Sequence, residues 1–344
     1  MGRATPTLIS TLAAGALALT AATGGTATAA PGPPPVGHDL PKVPVMRGGG
    51  GAVASVDPIV SQIGIDVLER GGNAADAAVA MAGAVGVVEP YSSGPGGGGF
   101  FVHYDAETGK VETIDGRETA PASFDESVFT ESDGSAMDFD TVVNSGLSVG
   151  VPGTPATWEM AAERYGTMSL NQLLKPAENT ARKGFVVDQP FHDATVDNAE
   201  RFAKFPDTAK IYLPGGEPIK IGAVLRNPDL AKTYRQLRTH GADAMQRGRM
   251  GEAVVDTVRN PRTAPGVTVP KGEMTRADMR SYTALVKAPT HSEHRGLDIY
   301  GMAAPSSGGI AVCEILNLLE SYEERTGKRT QDLSDAEWAH WFAE

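Results

Sequence analysis

Glu89–Pro121 reads E-P-Y-S-S-G-P-G-G-G-G-F-F-V-H-Y-D-A-E-T-G-K-V-E-T-I-D-G-R-E-T-A-P. Its first part is a turn in which ordinary side chains are unwelcome. Gly94 and the Gly96–Gly99 run can take positive φ and let another backbone or a ligand come close. Pro95 stiffens the entry by fixing φ. Phe100–Tyr104 and Val111–Asp115 then have the composition of two strands, joined through Ala106–Lys110 with Gly109 as the turn residue. The second strand delivers Arg117 into a loop closed by Pro121. A planar guanidinium there can bind a carboxylate through two parallel hydrogen bonds. Taken alone, however, a loop arginine is most often a solvated surface charge.

Upstream, Asp57-Pro58 has the form of a helix start, with Asp57 as N-cap and Pro58 at the first helical position. Ile59, Val60, Ile63, Val67 and Leu68 share one helical face, and Gly71-Gly72 stops the helix. A second helix begins at Asn73, with Asp76 at the third helical position near the positive end of the dipole. Its body, Ala74–Val88, is almost uncharged and built of small residues, which suits burial on several sides and close packing against a sheet.

Three motifs, G-G-N-A-A-D-A-A-V-A (Gly71–Ala80), G-P-G-G-G-G-F (Gly94–Phe100) and D-G-R-E-T-A-P (Asp115–Pro121), resemble the γ-glutamyltransferase (γ-glutamyltranspeptidase) family. V-P-G-T-P, Y-G-T-M-S-L, M-T-R-A-D-M-R-S-Y, H-R-G-L-D-I-Y and A-P-S-S-G-G-I extend the resemblance over about Gly48 to Leu319. It implies an α+β fold, the N-terminal-nucleophile hydrolase type of four-layer αββα sandwich, of which this chain supplies the N-terminal part. It also implies that Arg117 holds the α-carboxylate of the γ-glutamyl group. The family's nucleophile is a threonine exposed when the precursor cuts itself. Its own α-amine, with a pKa near ~8, serves as base. The signature T-T-H-[FY]-S around that residue does not occur before Glu344, so no catalytic residue is assigned in this chain. The partner implied is the C-terminal small-subunit region. The ligands implied are glutathione or another γ-glutamyl compound and an amino acid or peptide acceptor. No metal or cofactor is required by this chemistry.

Other signals are weighed down by their contexts. The glycine turn is followed by neither G-K-[ST] nor a helix, which argues against a phosphate loop. His291 and His294 form an H-x-x-H in a strand-like run without a third ligand at metal spacing, and read as a surface pair. Ser306-Ser307 lack the G-x-S-x-G setting of a serine nucleophile and read as a helix cap. The single cysteine, Cys313, lies in the apolar run Ile310–Leu319 and reads as a small core residue.

At 344 residues the chain can bury a large core. Thirty Lys and Arg against 42 Asp and Glu, a formal charge of −12, argue against nucleic acid and anionic membranes as partners. Residues 1–29 have the build of a cleavable signal peptide, with Arg3, the apolar Leu8–Ala22 and the small-x-small Ala27-Thr28-Ala29. Residues 30–47 read as a proline-rich linker. Residues 48–344 read as the large-subunit part of the domain, cut short at its C-terminal end. Its middle is expected to be helical, with helices at Ala156–Tyr165, Phe185–Arg201 and Asn227–Arg238 and a loop at Pro206–Pro218.

Three readings stay open: a secreted γ-glutamyltransferase, a related acylase of glutaryl or cephalosporin type, and an inactive secreted binding protein. The export signal is the feature testable from sequence alone. Protein released by a secreting host should begin at Ala30, as read by intact mass or N-terminal sequencing. Retention of residues before Ala30 would overturn the signal-peptide reading.

Overall fold

The computed structural model describes residues 47–343; the expected signal peptide and the linker up to residue 46 lie outside them. The chain enters through α1 (Pro58–Glu69) and α2 (Ala74–Val88), then the hairpin β1 (Gly99–Asp105) and β2 (Lys110–Gly116). A helical stretch follows: α3 (Phe139–Val143), α4 (Thr154–Tyr165), α5 (Leu170–Leu173) and α6 (Lys175–Lys183). Next come β3 (Phe185–Val186), α7 (Gln189–Ala203), α8 (Pro206–Tyr212) and β4 (Val224–Leu225). After these, α9 (Pro228–His240), α10 (Asp243–Gln246), α11 (Arg249–Arg259) and α12 (Arg276–Ser281) lead to β5 (Leu285–Lys287). The hairpin β6 (Thr290–His294) and β7 (Leu297–Gly301) precedes α13 (Ser307–Thr326) and α14 (Asp335–Ala343).

The helix starts follow the local chemistry. Asp57 accepts the Ile59 and Val60 amides at 2.7 and 3.3 Å. Asn73 and Asp76 form a reciprocal capping box at the start of α2. Two stretches differ from the expected pattern. Phe185–Arg201 is not one helix: Phe185 and Val186 pair with β4, and α7 starts later, where Asp188 caps it and Pro190 occupies its first turn. The expected loop at Pro206–Pro218 instead opens with α8, because proline fits the first helical turn, where its missing N–H costs nothing.

The core is built around α2. Val79, Ala80 and Ala84 are completely buried. Its principal neighbours are α1, α4, α5 and α6, so its small residues serve close helix packing where the sequence suggested a sheet. The sheet lies one layer further out, against α4. Tyr234 of α9 donates its hydroxyl to the Gly83 carbonyl at 2.6 Å, and its ring stacks on Trp158 of α4. The buried Glu178 of α6 meets Lys175, Arg235 and Arg238, tying α6 to α9. Burial would raise its pKa, but the Arg238 and Lys175 contacts outweigh that and hold it below the usual carboxylate value.

The sheet has the order β1-β2-β5, all antiparallel. Phe101, Ile114 and Val286 are cross-strand partners and share a face. On that side Phe101 and His103 stack on Tyr165 at the end of α4. Register puts Val102, Tyr104 and Leu285 on the opposite face, where all three are exposed. Neither face is uniformly covered: Thr113 and Asp115 are buried on this second face, and Val286 is exposed on the first. Helix α13 packs on β6 and β7 yet leaves Ile310, Val312, Ile315 and Leu318 about half exposed. Cys313 is accordingly half-buried on that helix, not a core residue. Ser306 occupies the N-cap position of α13 but makes no side-chain capping bond. His291 stacks on Tyr300 and pairs with Asp298, while His294 is largely covered. The two histidines point to opposite sides of β6 and share no site.

Asp76 does more than favour a helix dipole. It is completely buried. It accepts the Asn73 amide at 2.9 Å, the Thr167 amide at 3.0 Å, the Thr167 hydroxyl at 2.7 Å and the Met168 amide at 3.1 Å. Asn73 adds a bond from its side-chain amide to the Tyr165 carbonyl at 2.6 Å. G-G-N-A-A-D and Y-G-T-M-S-L are thus two halves of one knot. Burial opposes the Asp76 charge, but the Thr167 hydroxyl and the surrounding amides outweigh it, so its pKa lies below the ordinary 3.8. Its contribution to stability is therefore complete above that ordinary value and is lost as pH falls through the lower folded value. Asp76→Asn should cost about 3 kcal/mol or more in denaturant unfolding at pH 7, because bonds to the carboxylate are lost and buried donors face an amide group. The gap from wild type should narrow as pH falls below that ordinary value. Equal stability at pH 7 would remove Asp76 from its place as the knot.

Candidate functional site

The glycine turn is a docking surface for backbone. None of Gly94 or Gly96–Gly99 has positive φ, so conformational freedom is not why glycine stands there. Close approach is the reason at Gly98. A Cβ on it would lie 2.7 Å from the Glu118 amide nitrogen and 2.7 Å from the Gly116 carbonyl oxygen. The Gly97 carbonyl accepts the amides of Gly153 and Thr154 at 2.9 and 3.0 Å. That contact locks the turn onto the start of α4. The approach is as tight on the other side, where a Cβ on Gly153 would meet the Gly116 carbonyl at 2.0 Å and the Tyr282 hydroxyl at 2.1 Å. V-P-G-T-P therefore reads in three dimensions as a seat for the D-G-R segment.

Arg117 leaves this seat at the end of β2 with an exposed side chain. Its amide donates to Asp115 Oδ1 at 3.1 Å, and its carbonyl accepts the Tyr282 hydroxyl at 2.9 Å. One terminal nitrogen, Nη1, donates to the Pro305 carbonyl at 3.1 Å. The loop between β7 and α13 thereby lies against the guanidinium. Lys287 of β5 bridges the same region, with Nζ 2.7 Å from Asp115 Oδ2 and 3.1 Å from the Ala304 carbonyl. Downstream, Val151 and Thr119 pair as an isolated bridge, and the buried Asp278 accepts the Ala122 amide at 2.9 Å. Burial works against the Asp278 charge, yet the Ala122 amide and the Thr275 cap keep its pKa low.

Arg117 was the one residue singled out from sequence as a ligand group, and the fold carries it to an exposed position on a rigid base. Asp115, Tyr282 and Lys287 around it had no comparable signal. Asp115 lies inside the D-G-R motif, but Tyr282 and Lys287 are some 170 residues away in the chain; strand pairing of β5 with β2 brings Lys287 in, and Tyr282 reaches the site from the end of α12. Among the described residues no group of His, Cys, Asp and Glu is arranged to hold a metal ion.

The fold is that of the N-terminal-nucleophile hydrolases, of which this chain forms part. The chain belongs to the γ-glutamyltranspeptidase family, whose model matches residues 60–344. It is 38% identical over 308 residues to a glutathione hydrolase proenzyme of Bacillus subtilis, covering 88% of this chain and 50% of that protein. It is 34% identical over 281 residues to the acylase ACY 1 proenzyme of a Pseudomonas strain, covering 80% of this chain and 49% of that protein. The crystal structure of Helicobacter pylori γ-glutamyltranspeptidase superposes with a TM-score of 0.75 at 34% identity, covering 81% of this chain and 77% of that one. The chain spans about half the length of the curated relatives it matches.

The packing of the turn separates its glycines. Gly98→Ala and Gly153→Ala should each cost about 1–3 kcal/mol, since backbone atoms must move to admit the methyl group. Gly96→Ala meets open space and should fall within about 0.5 kcal/mol of wild type. Thermal unfolding of the three variants checks this. A Gly96→Ala loss as large as that of Gly98→Ala would contradict the docking account.

Proposed function

We propose that this chain forms the large-subunit portion of a secreted γ-glutamyltransferase. The enzyme cleaves the γ-glutamyl bond of glutathione and related compounds and transfers the acyl group to water, an amino acid or a peptide. The observation that carries the reading is Arg117, an exposed guanidinium whose backbone is bonded on both sides and whose one side-chain bond goes to a carbonyl. Such a group can take an α-carboxylate with its remaining N–H donors.

The chemistry is covalent acyl transfer. A threonine hydroxyl contributed from beyond Glu344 attacks the γ-amide carbonyl, its proton passing to the threonine's own free amine. The C–N bond breaks, the amine leaves with that proton, and a γ-glutamyl ester remains. Water or an acceptor amine then attacks the ester and restores the hydroxyl. Arg117 takes no part in bond making. It fixes the far end of the donor so that the carbonyl faces the nucleophile.

The exposed Val102, Tyr104 and Leu285 of the β1-β2-β5 sheet and the outward residues of α13 support a second partner, the small-subunit region, laid over them to complete the four layers. Residues 1–29 act as the export signal and 48–344 as the catalytic domain's large-subunit part. Among the described residues no helix is long and apolar enough to cross a membrane. A second reading, an acylase of the same type, is favoured by the similarity to ACY 1. A glutaryl group also carries a carboxylate that Arg117 could hold.

The test uses the chain completed to the length of its relatives. Arg117→Lys keeps the charge but loses the planar fork. It should lower kcat/KM for a γ-glutamyl anilide about ten- to a hundredfold, and Arg117→Ala at least as much. Self-cleavage, followed on gels, should proceed normally because it involves no free α-carboxylate. Wild-type turnover by both variants would remove Arg117 from the site. Preference for a glutaryl over a γ-glutamyl anilide would favour the acylase reading.

A further inference from the structure

The backbone of Arg117 is held at both its amide and its carbonyl by side chains of the fold. Asp115 takes its amide and Tyr282 its carbonyl. Asp115 is about nine-tenths buried, and its second oxygen is held by Lys287. Lys287 also donates to the Ala304 carbonyl, one residue before the Pro305 carbonyl that accepts from Arg117. The contacts close a ring: Arg117 amide, Asp115, Lys287, the Ala304–Pro305 backbone, and back to the Arg117 side chain. Tyr282 stands outside the ring and fixes its remaining degree of freedom, the orientation of the peptide that follows Arg117.

Two further observations show that this hydroxyl is specifically accommodated. Gly153 leaves room where any side chain would strike the Tyr282 oxygen. Burial, with the carboxylates of Asp115 and Glu118 nearby, pushes the Tyr282 hydroxyl well above its usual range, so it remains a protonated donor across the working range of any enzyme. The Tyr282 ring belongs to the core, and its hydroxyl donates to the Arg117 carbonyl, which holds the peptide that follows Arg117.

We propose that Tyr282 is a positioning residue for donor recognition, acting through the Arg117 backbone to aim the guanidinium at the donor α-carboxylate, with the Asp115–Lys287 pair as the second half of the same clamp. This rests on the reading of Arg117 as the carboxylate ligand. The fork geometry tolerates little rotation, because two parallel hydrogen bonds must be met together. A loosened peptide therefore weakens carboxylate binding without removing the charge.

The experiment measures kcat/KM of the chain completed to its relatives' length on two donors, γ-glutamyl-p-nitroanilide and 4-aminobutyryl-p-nitroanilide, which lacks only the α-carboxylate. Arg117→Ala should collapse the preference for the first donor. Tyr282→Phe, which keeps the ring, should lower that preference about tenfold, chiefly through KM for the first donor, with a clearly smaller loss on the poor donor. Lys287→Met should act in the same direction and serves if Tyr282→Phe fails to mature. Equal losses on both donors would mean that Tyr282 only supports the fold, and the inference fails. An unchanged preference in Tyr282→Phe beside a collapsed one in Arg117→Ala also overturns it while leaving the Arg117 reading intact. An unchanged preference in Arg117→Ala overturns both.

Discussion

The carboxylate of Asp76 is the constraint on which the rest of the structure depends. It joins the start of α2 to the turn between α4 and α5, more than 90 residues later, through bonds from two amides and a hydroxyl of Thr167 and Met168. A buried charge without partners would cost several kcal/mol, so this one specifies its surroundings closely. Once α2 and the end of α4 are tied, Tyr165 is placed to receive Phe101 and His103, and the sheet has only one way to lie. Exposed pairs such as Lys232–Asp229 matter far less, because solvent screens them and ordering their side chains costs entropy.

From that frame the chain builds outward in layers, and each layer narrows what the next can do. α4 supports β1 and β2 and offers Gly153 and Thr154 to the carbonyl of Gly97. The glycine turn then lies flat against backbone on two sides, which leaves the segment from Asp115 to Glu118 no slack. A loop arginine commonly ranges over many rotamers and loses much of its binding energy to ordering. Here the main chain beneath it is ordered in advance by its partners in the fold, so only the side chain remains free to range.

The outer side of the molecule is of a different kind. Exposed apolar residues stand at Val102, Tyr104 and Leu285 of the sheet and along α13. The helix Ser307–Thr326 carries enough aliphatic residues for a core helix, yet none of its residues is buried among the described ones. The relatives the chain matches are about twice as long as it is.

The sequence alone determined those features whose cause is local. Asp57 and Asn73 start helices because each side chain can satisfy amides two or three residues ahead. The hairpin Gly99–Gly116 followed from β-rich runs around a single turn glycine, and Arg117 was legible through its motif. What the sequence could not carry was any property set by distant partners. Phe185 and Val186 became a strand because Val224 and Leu225 lie alongside, while α8 formed where proline and glycine suggested a loop. The burial of Asp76 depended on Thr167, and the half-exposure of Cys313 on how α13 packs among the described residues. The clamp on Arg117 came from Tyr282 and Lys287, which have no periodicity or spacing relative to it. Tertiary structure alone decides such contacts, because the energy of a buried hydrogen bond depends on who arrives at the site and not on how far along the chain it began.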